Sequence, residues 1–288
     1  FAKHEIVFSK FSFLDELKDI VSIEKPDIIL YGTGWQVNFS NIVKDICTEY
    51  AIKSIALIDH WARYKERFSE NSLPDAILVM DDVANKIAKD EFNSEVLIVQ
   101  TKNYFIEDMI SRFSLIREKS FDSVVFISQP TVVDQIDLDA YEYVLLEDIL
   151  NMFDNVIIRL HPTENVNKYD SVVSKFSKRK ISVVMPYEED LTTTLSKSKL
   201  TIGIGSMALY ISYLLGINTI SYISNRHKVP SIPFPKEYIL KDLQALENVK
   251  FVSAEHENFC NSAISFESML NSLKYCDWIK FYIYWELK

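Results

Sequence analysis

Two short segments carry the residue types best suited to holding an anion. Gly203-Ile204-Gly205-Ser206 follows an apolar, β-branched run that starts at Leu200. It precedes helical apolar spacing at Ala208, Leu209, Ile211, Leu214 and Leu215, which Gly216 stops as a C-cap. A Gly-x-Gly-Ser turn between a strand and a helix N-terminus presents backbone N–H groups and a hydroxyl to a negative charge. His161-Pro162 closes the strand-like run Val156 to Leu160, about 45 residues earlier. Proline holds its surroundings extended. An imidazole at such a strand end either hydrogen-bonds or protonates a phosphate leaving group, or binds a neighbouring carbonyl at a turn. Arg159 shares the strand face of His161. It is either a second phosphate contact or one half of a salt bridge at the sheet edge.

The glycines sharpen this reading. The chain has 5 glycines in 288 residues, where average usage gives about 20. Four of them form two Gly-x-Gly pairs, Gly32 with Gly34 and Gly203 with Gly205, each just after an expected strand. Such pairs mark backbone that needs a positive φ or a ligand at close range. They are therefore expected ligand contacts, with tight strand-to-helix turns as the alternative.

A second chemistry belongs to carboxylates at strand ends. Lys53 to Ile58 reads as a strand and runs into Asp59-His60-Trp61. Asp59 there is a candidate general base, or a nucleophile, or a helix cap. His60, Trp61, Arg63 and Arg67 follow in a polar-aromatic segment of the kind that lines sugar sites. The competing reading has Trp61 and Phe68 packed away. Asp81-Asp82 is expected chiefly to cap its helix.

The elements that must position these groups alternate regularly. Expected strands at 28–31, 53–58, 76–80 and 96–99 are separated by helices, and a second series follows from 123 to 223. This is the pattern of α/β folding with parallel, doubly wound sheets, whose ligands bind beyond the carboxyl ends of the strands. Two such domains facing each other make a cleft. The divisions expected are 1–115, carrying the catalytic carboxylate, then 116–265, then an aromatic helix over 266–288.

Composition bounds the rest. A hydrophobic share of 48% fills two cores, and a net charge of −10 argues against a nucleic-acid partner. Cys47, Cys260 and Cys276 lack metal-ligand spacing and suggest reduced thiols. No metal site and no bound cofactor is expected. No stretch of 18 apolar residues and no signal peptide is seen, so the expected location is the cytoplasm. Contact with the inner membrane face, or with a larger assembly protein, is left open by the aromatic tail. A first residue other than Met suggests a piece of a longer chain.

Strand–His161-Pro162, then an acidic segment, then strand–Gly203-Ile204-Gly205-Ser206–helix–Gly216–strand resembles the C-terminal half of GT-B-type bacterial glycosyltransferases. It is most similar to the sialyltransferases and the Kdo transferases of capsule and lipopolysaccharide, which use CMP-linked 2-keto sugars. Residues 120 to 225 carry the resemblance, with a looser match over 26 to 105. It implies two Rossmann-like domains, a CMP-sugar donor and a glycan acceptor in surface-polysaccharide synthesis. It also implies that His161, Pro162 and Ser206 hold the CMP phosphate and that no metal serves the leaving group; Glu188, Glu189 and Asp190, before a helix, are either dipole partners or supply one contact, from Glu188, to the cytidine or ribose. Two departures stand out. Met207 occupies the place of a second serine, and Glu188-Glu189 and Asp81-Asp82 lack the glycine that completes the family's acidic motif. Teichoic-acid glycerophosphotransferases share a similar His-Pro and Ser pair, so a CDP-linked donor stays open. So does a non-catalytic module that binds a nucleotide or glycan.

Overall fold

The computed structural model describes residues 4–8, 14–33, 37–69, 72–130, 138–223, 232–251 and 279–284. They fall into two compact units, Phe1–Asn103 with Glu257–Lys288, and Tyr104–His256. In chain order, the first series is β1 (His4–Phe8), α1 (Leu14–Glu24), β2 (Ile28–Gly32), α2 (Val37–Glu49), β3 (Lys53–Leu57), β4 (Ala76–Val79), α3 (Asp82–Phe92) and β5 (Leu97–Gln100). The second is α4 (Tyr104–Leu115), β6 (Ser123–Ile127), α5 (Leu138–Met152), β7 (Asn155–Arg159), α6 (Asp170–Val173), β8 (Lys180–Val184), α7 (Leu191–Leu195), β9 (Ser198–Gly203), α8 (Met207–Leu214), β10 (Thr219–Tyr222) and β11 (Ile239–Leu240). A last strand, β12 (Ile279–Tyr284), returns to the first unit.

Each unit is a six-stranded sheet in which every pairing is parallel. The orders are β1-β12-β2-β3-β4-β5 and β11-β10-β9-β6-β7-β8. A parallel sheet needs cover on both faces, so its inner strands read as unbroken apolar runs. Ala76–Val79 and the segment Val124 to Ile127 of β6 are such runs, and all their residues are buried. The expected α/β class with doubly wound parallel sheets is what the chain adopts.

Two expected boundaries move. The division falls after Asn103 rather than after residue 115, because α4 docks its apolar face on the second unit. Met109 and Phe113 form one core cluster with Leu195, Ile211, Leu215 and Ile217. The tail is the larger correction. In place of a helix, Ile279–Tyr284 is a strand set between β1 and β2, with Phe281 opposite Ile6 and Ile28. Ile-Lys-Phe-Tyr-Ile-Tyr is β-branched and aromatic, and such residues suit a pleated surface. Residues 266–278, Gly34, Cys260 and Cys276 lie outside the described residues.

The turn around α8 follows helix-capping chemistry. Ser206 is the N-cap, with extended backbone and Oγ accepting the Leu209 N–H at 3.3 Å. At the other end Gly216 has φ +75°. Its N–H bonds the Tyr213 carbonyl at 3.0 Å, and the Ile217 N–H bonds Ser212 at 3.2 Å. These are the two bonds of a Schellman close. Gly203 serves a different purpose. A Cβ there would stand 3.1 Å from the Ile127 carbonyl and 3.3 Å from Leu209 Cδ1, so a side chain would push β9 from β6 and α8.

Gly216→Ala is expected to lose about 1–2 kcal/mol from the left-handed backbone alone. Gly203→Ala is expected to lose about 1–3 kcal/mol from overpacking. Urea unfolding checks both, and an unchanged midpoint in either variant contradicts its assigned cause.

Candidate functional site

In the second unit the chain runs from β6 outward through β7 to β8, then returns to β9 and runs the other way to β11. The loops after β6 and β9 therefore diverge at the carboxyl edge. In a doubly wound sheet this is where ligands bind. The two loops are joined there, since the Gly205 N–H donates to Gln129 Oε1 at 3.2 Å. The first turn of α8 begins beside that bond, at Ser206.

The adjoining loop, after β7, carries His161. It is a closed turn. The Glu164 N–H bonds the His161 carbonyl at 3.0 Å, and the His161 N–H bonds Glu164 Oε2 at 2.7 Å. The half-buried imidazole has Nδ1 at 2.8 Å from Thr163 Oγ1 and at 3.3 Å from the Thr163 nitrogen. The backbone N–H can only donate, so Nδ1 accepts and the proton of the neutral ring sits on Nε2. Pro162 is exposed.

Beneath this turn lies a buried polar cluster. Lys168 Nζ stands 2.6 Å from Glu142 Oε2 and 2.6 Å from Glu164 Oε1. Tyr169 O–H donates to Glu142 Oε2 at 3.0 Å, and the Ser128 hydroxyl donates to Glu164 Oε1 at 2.9 Å. The Gln129 N–H bonds Glu142 Oε1 at 2.9 Å, while Lys168 also reaches the Gln129 carbonyl at 3.2 Å. Glu142 has no exposed surface. Burial raises its pKa against the pull of Lys168 and the other donors. Burial alone would lower Lys168, but its bonds to two carboxylates carry it above the usual value.

Sequence patterning points only weakly to this cluster. Glu142 falls on the face of α5 that also carries Leu145, Leu146 and Ile149, all buried, so a charge there is out of place without a partner. Glu164 and Lys168 have the i, i+4 spacing of a helix pair but lie largely in turns.

The remaining expected contacts of this unit have intramolecular roles. Arg159 is 7% exposed, and its Nη1 donates to the Glu189 carbonyl at 2.9 Å and to Thr194 Oγ1 at 2.7 Å. It ties β7 to the segment before α7. Burial lowers its pKa while Asp190 and Glu189 oppose the shift. Glu188 turns back on its own loop, with Oε2 accepting the Met185 N–H at 2.9 Å. Glu189 pairs with Lys197, and Asp190 caps α7 through the Thr192 N–H at 2.9 Å.

The first unit gathers a separate set at the carboxyl ends of β2 and β3. Arg67 is 2% exposed, and its Nη1 holds the Thr33 carbonyl at 3.0 Å and Thr33 Oγ1 at 3.1 Å. Thr33 in turn donates its hydroxyl to the Leu57 carbonyl at 3.0 Å. Arg67 thus pins the loop after Gly32, which ends β2 half-buried. Trp61 is 3% exposed and donates its indole N–H to Asp81 Oδ2 at 2.7 Å. Asp81 Oδ1 caps α3 through the Ala84 N–H at 2.7 Å. The expected sugar-facing roles of Trp61 and Arg67 are corrected here, because burial leaves neither ring face nor guanidinium open to solvent. Asp59 is exposed and accepts no hydrogen bond among the described residues, so it caps nothing there. His60 is half-buried, and burial and Arg67 lower its pKa against Asp59. Arg63 is exposed with φ +57° and lies 3.5 Å from Glu66. Among the described residues no three His, Cys, Asp or Glu side chains come together to hold a metal, and no helix is long and apolar enough to cross a membrane.

No protein-family model matches this chain, and no curated protein matches it in sequence. Solved structures do match over both units. A candidate UDP-N-acetylglucosamine 2-epimerase from Listeria monocytogenes aligns with 93% of this chain and 73% of its own, at 12% identity and a TM-score of 0.52. MnaA of S. aureus, solved with UDP, aligns with 92% of this chain and 74% of its own, at 12% identity and a TM-score of 0.50. The likeness is one of fold. This chain has the GT-B-like arrangement of two Rossmann-like α/β domains in sequence.

Removing the lone cation of the buried cluster strands two carboxylates. Lys168→Met is expected to cost about 3–5 kcal/mol at pH 7.5. Burial already raises the Glu142 pKa, and loss of the ammonium raises it further, so folding of the variant takes up a proton and the deficit shrinks as pH falls toward 5. Urea unfolding at the two pH values checks this. A deficit that is constant or grows on acidification contradicts the charge assignment.

Proposed function

We propose that the second unit binds the phosphate of a nucleotide sugar at its switch point, and that the chain is a glycosyltransferase of the GT-B-like kind. One observation carries the reading. The loops after β6 and β9 are joined by the Gly205–Gln129 bond where the strand order reverses, with the α8 N-terminus on one of them. The turn that closes β7, the strand next to β6, supplies an Nε2–H imidazole. A nucleotide phosphate gains negative charge as its bond to the anomeric carbon breaks. Free N–H groups of a helix's first turn, its dipole, and an imidazole N–H all favour that charge.

In such a transfer the acceptor hydroxyl oxygen bonds the anomeric carbon, and the electron pair of the broken C–O bond goes to the phosphate oxygen. His161 donates a hydrogen bond or its proton to that oxygen. Asp59 is proposed separately, as a proton acceptor within the first unit. It is exposed and accepts no hydrogen bond among the described residues, so its carboxylate is open to solvent.

The donor is a pyrimidine nucleotide sugar in this reading. The His161-Pro162 and Ser206 pair favours a CMP-linked 2-keto sugar bound for a surface glycan. The S. aureus protein of similar fold was solved with UDP, which favours a uridine donor.

Calorimetric titration with UDP, CMP and CDP tests the reading. One of the three is expected to bind, and His161→Ala is expected to weaken it about tenfold or more, the loss of one hydrogen bond to a charged group. Preference for UDP or CMP assigns the sugar donor, and preference for CDP favours the glycerophosphotransferase chemistry. Affinity is the readout because Ser206→Ala also costs about 1 kcal/mol of helix capping. Failure of all three to bind overturns the reading.

A further inference from the structure

The His161 turn is not held by its own residues alone. Glu164 Oε2 accepts the His161 N–H at 2.7 Å, while Oε1 takes the Ser128 hydroxyl at 2.9 Å and the Lys168 ammonium at 2.6 Å. One carboxylate therefore clamps the end of β7 to the end of β6. Lys168 extends the clamp to Glu142 and the Gln129 carbonyl, and Gln129 holds Gly205 after β9. The loops after β6, β7 and β9 are thus linked, and the charged groups among them are buried, with Glu142 and Glu164 at 0% and 6% side-chain exposure and Lys168 at 9%.

We infer that Glu164 is a positioning residue that fixes the tautomer and the aim of His161. With the turn closed in both directions, the Thr163 N–H is brought onto Nδ1. That contact keeps Nδ1 bare and the proton on Nε2. An open turn withdraws the Thr163 N–H, and the ring returns to a mixture of tautomers. Two charged partners and a buried site make the clamp stiff. Side-chain entropy is already spent on the Lys168 pair, and hydrogen bonds to charges are about twice as strong as neutral ones. The identity of the anion that His161 meets rests on the proposed function. The role of Glu164 toward the ring does not.

The imidazole ¹⁵N spectrum of the full chain tests this, with His161 identified by its loss in His161→Ala. The wild-type ring is expected to carry its proton on Nε2. Glu164→Gln presents an amide N–H to one of its donors and is expected to give mixed tautomers. Glu164→Asp keeps a carboxylate for Lys168 but draws it back from the His161 N–H. It is expected to fold where Glu164→Gln does not, and to shift the ring the same way. A proton on Nδ1 in the wild type, or an unchanged ring in the variants, overturns the inference. UDP and CMP are titrated into the wild type, Glu164→Asp, His161→Ala and the double variant. Each single change is expected to weaken binding about tenfold, and the double variant to bind no worse than His161→Ala. Additive losses mean that Glu164 does not act through His161 and overturn the inference. A wild-type chain that binds neither nucleotide overturns the nucleotide reading instead, and the ring spectrum then decides the role of Glu164.

Discussion

A single ammonium between two buried carboxylates sets the carboxyl edge of the second sheet. Lys168 lies 2.6 Å from both Glu142 and Glu164. The loops after β6 and β7 meet at that contact. It reinforces two direct ties, the Gln129 N–H on Glu142 between the β6 loop and α5, and the Ser128 hydroxyl on Glu164 between β6 and the β7 turn. Desolvating three charges is costly, and the cluster persists because each charge also has neutral donors or acceptors: Ser128, Tyr169, the Gln129 amide and the Gln129 carbonyl.

The two units solve the same problem with different chemistry. The second unit fixes its edge with charges. The first fixes the loop after β2 with a buried guanidinium on Thr33, and the α3 N-terminus with an indole donor on Asp81. Both devices tie a loop to its neighbour across strand ends. A parallel sheet demands this, since its strand ends have no hairpins and its loops must run to helices on either face. In both units the polar groups at these ends are mostly satisfied by one another. Among the described residues at these ends, Asp59 is exposed and Ser206 and His161 are half-buried.

Burial decides which expected site residues are turned away from solvent. Trp61, Arg67 and Arg159 are of the right types for sugar or phosphate contact, and all three face inward. A long polar side chain beside a strand end has two outlets, solvent or a carbonyl of the next loop. Here the carbonyls of Thr33 and Glu189 are near enough to win. Glu188 makes the same choice, closing its own turn.

The sequence by itself determined most of the strands and helices and most of their order. Unbroken apolar runs at Ile28, Ala76, Val124 and Val156 could only be covered strands, and Ser206 and Gly216 bracket α8 by local capping chemistry. It also placed His161, Asp59 and Ser206 at strand ends, because period and punctuation are local properties. Only the tertiary structure decided three things. It set β12 between β1 and β2, a pairing across more than 250 residues to which an aromatic tail gives no local sign. It moved α4 to the second unit, because an amphipathic helix reports that it packs but not on what. And it brought Glu142 from α5 to Lys168 and Glu164 from the β7 loop. A charge on an apolar face asks for a partner, and which partner answers depends on the distance between loops that only the folded sheet fixes.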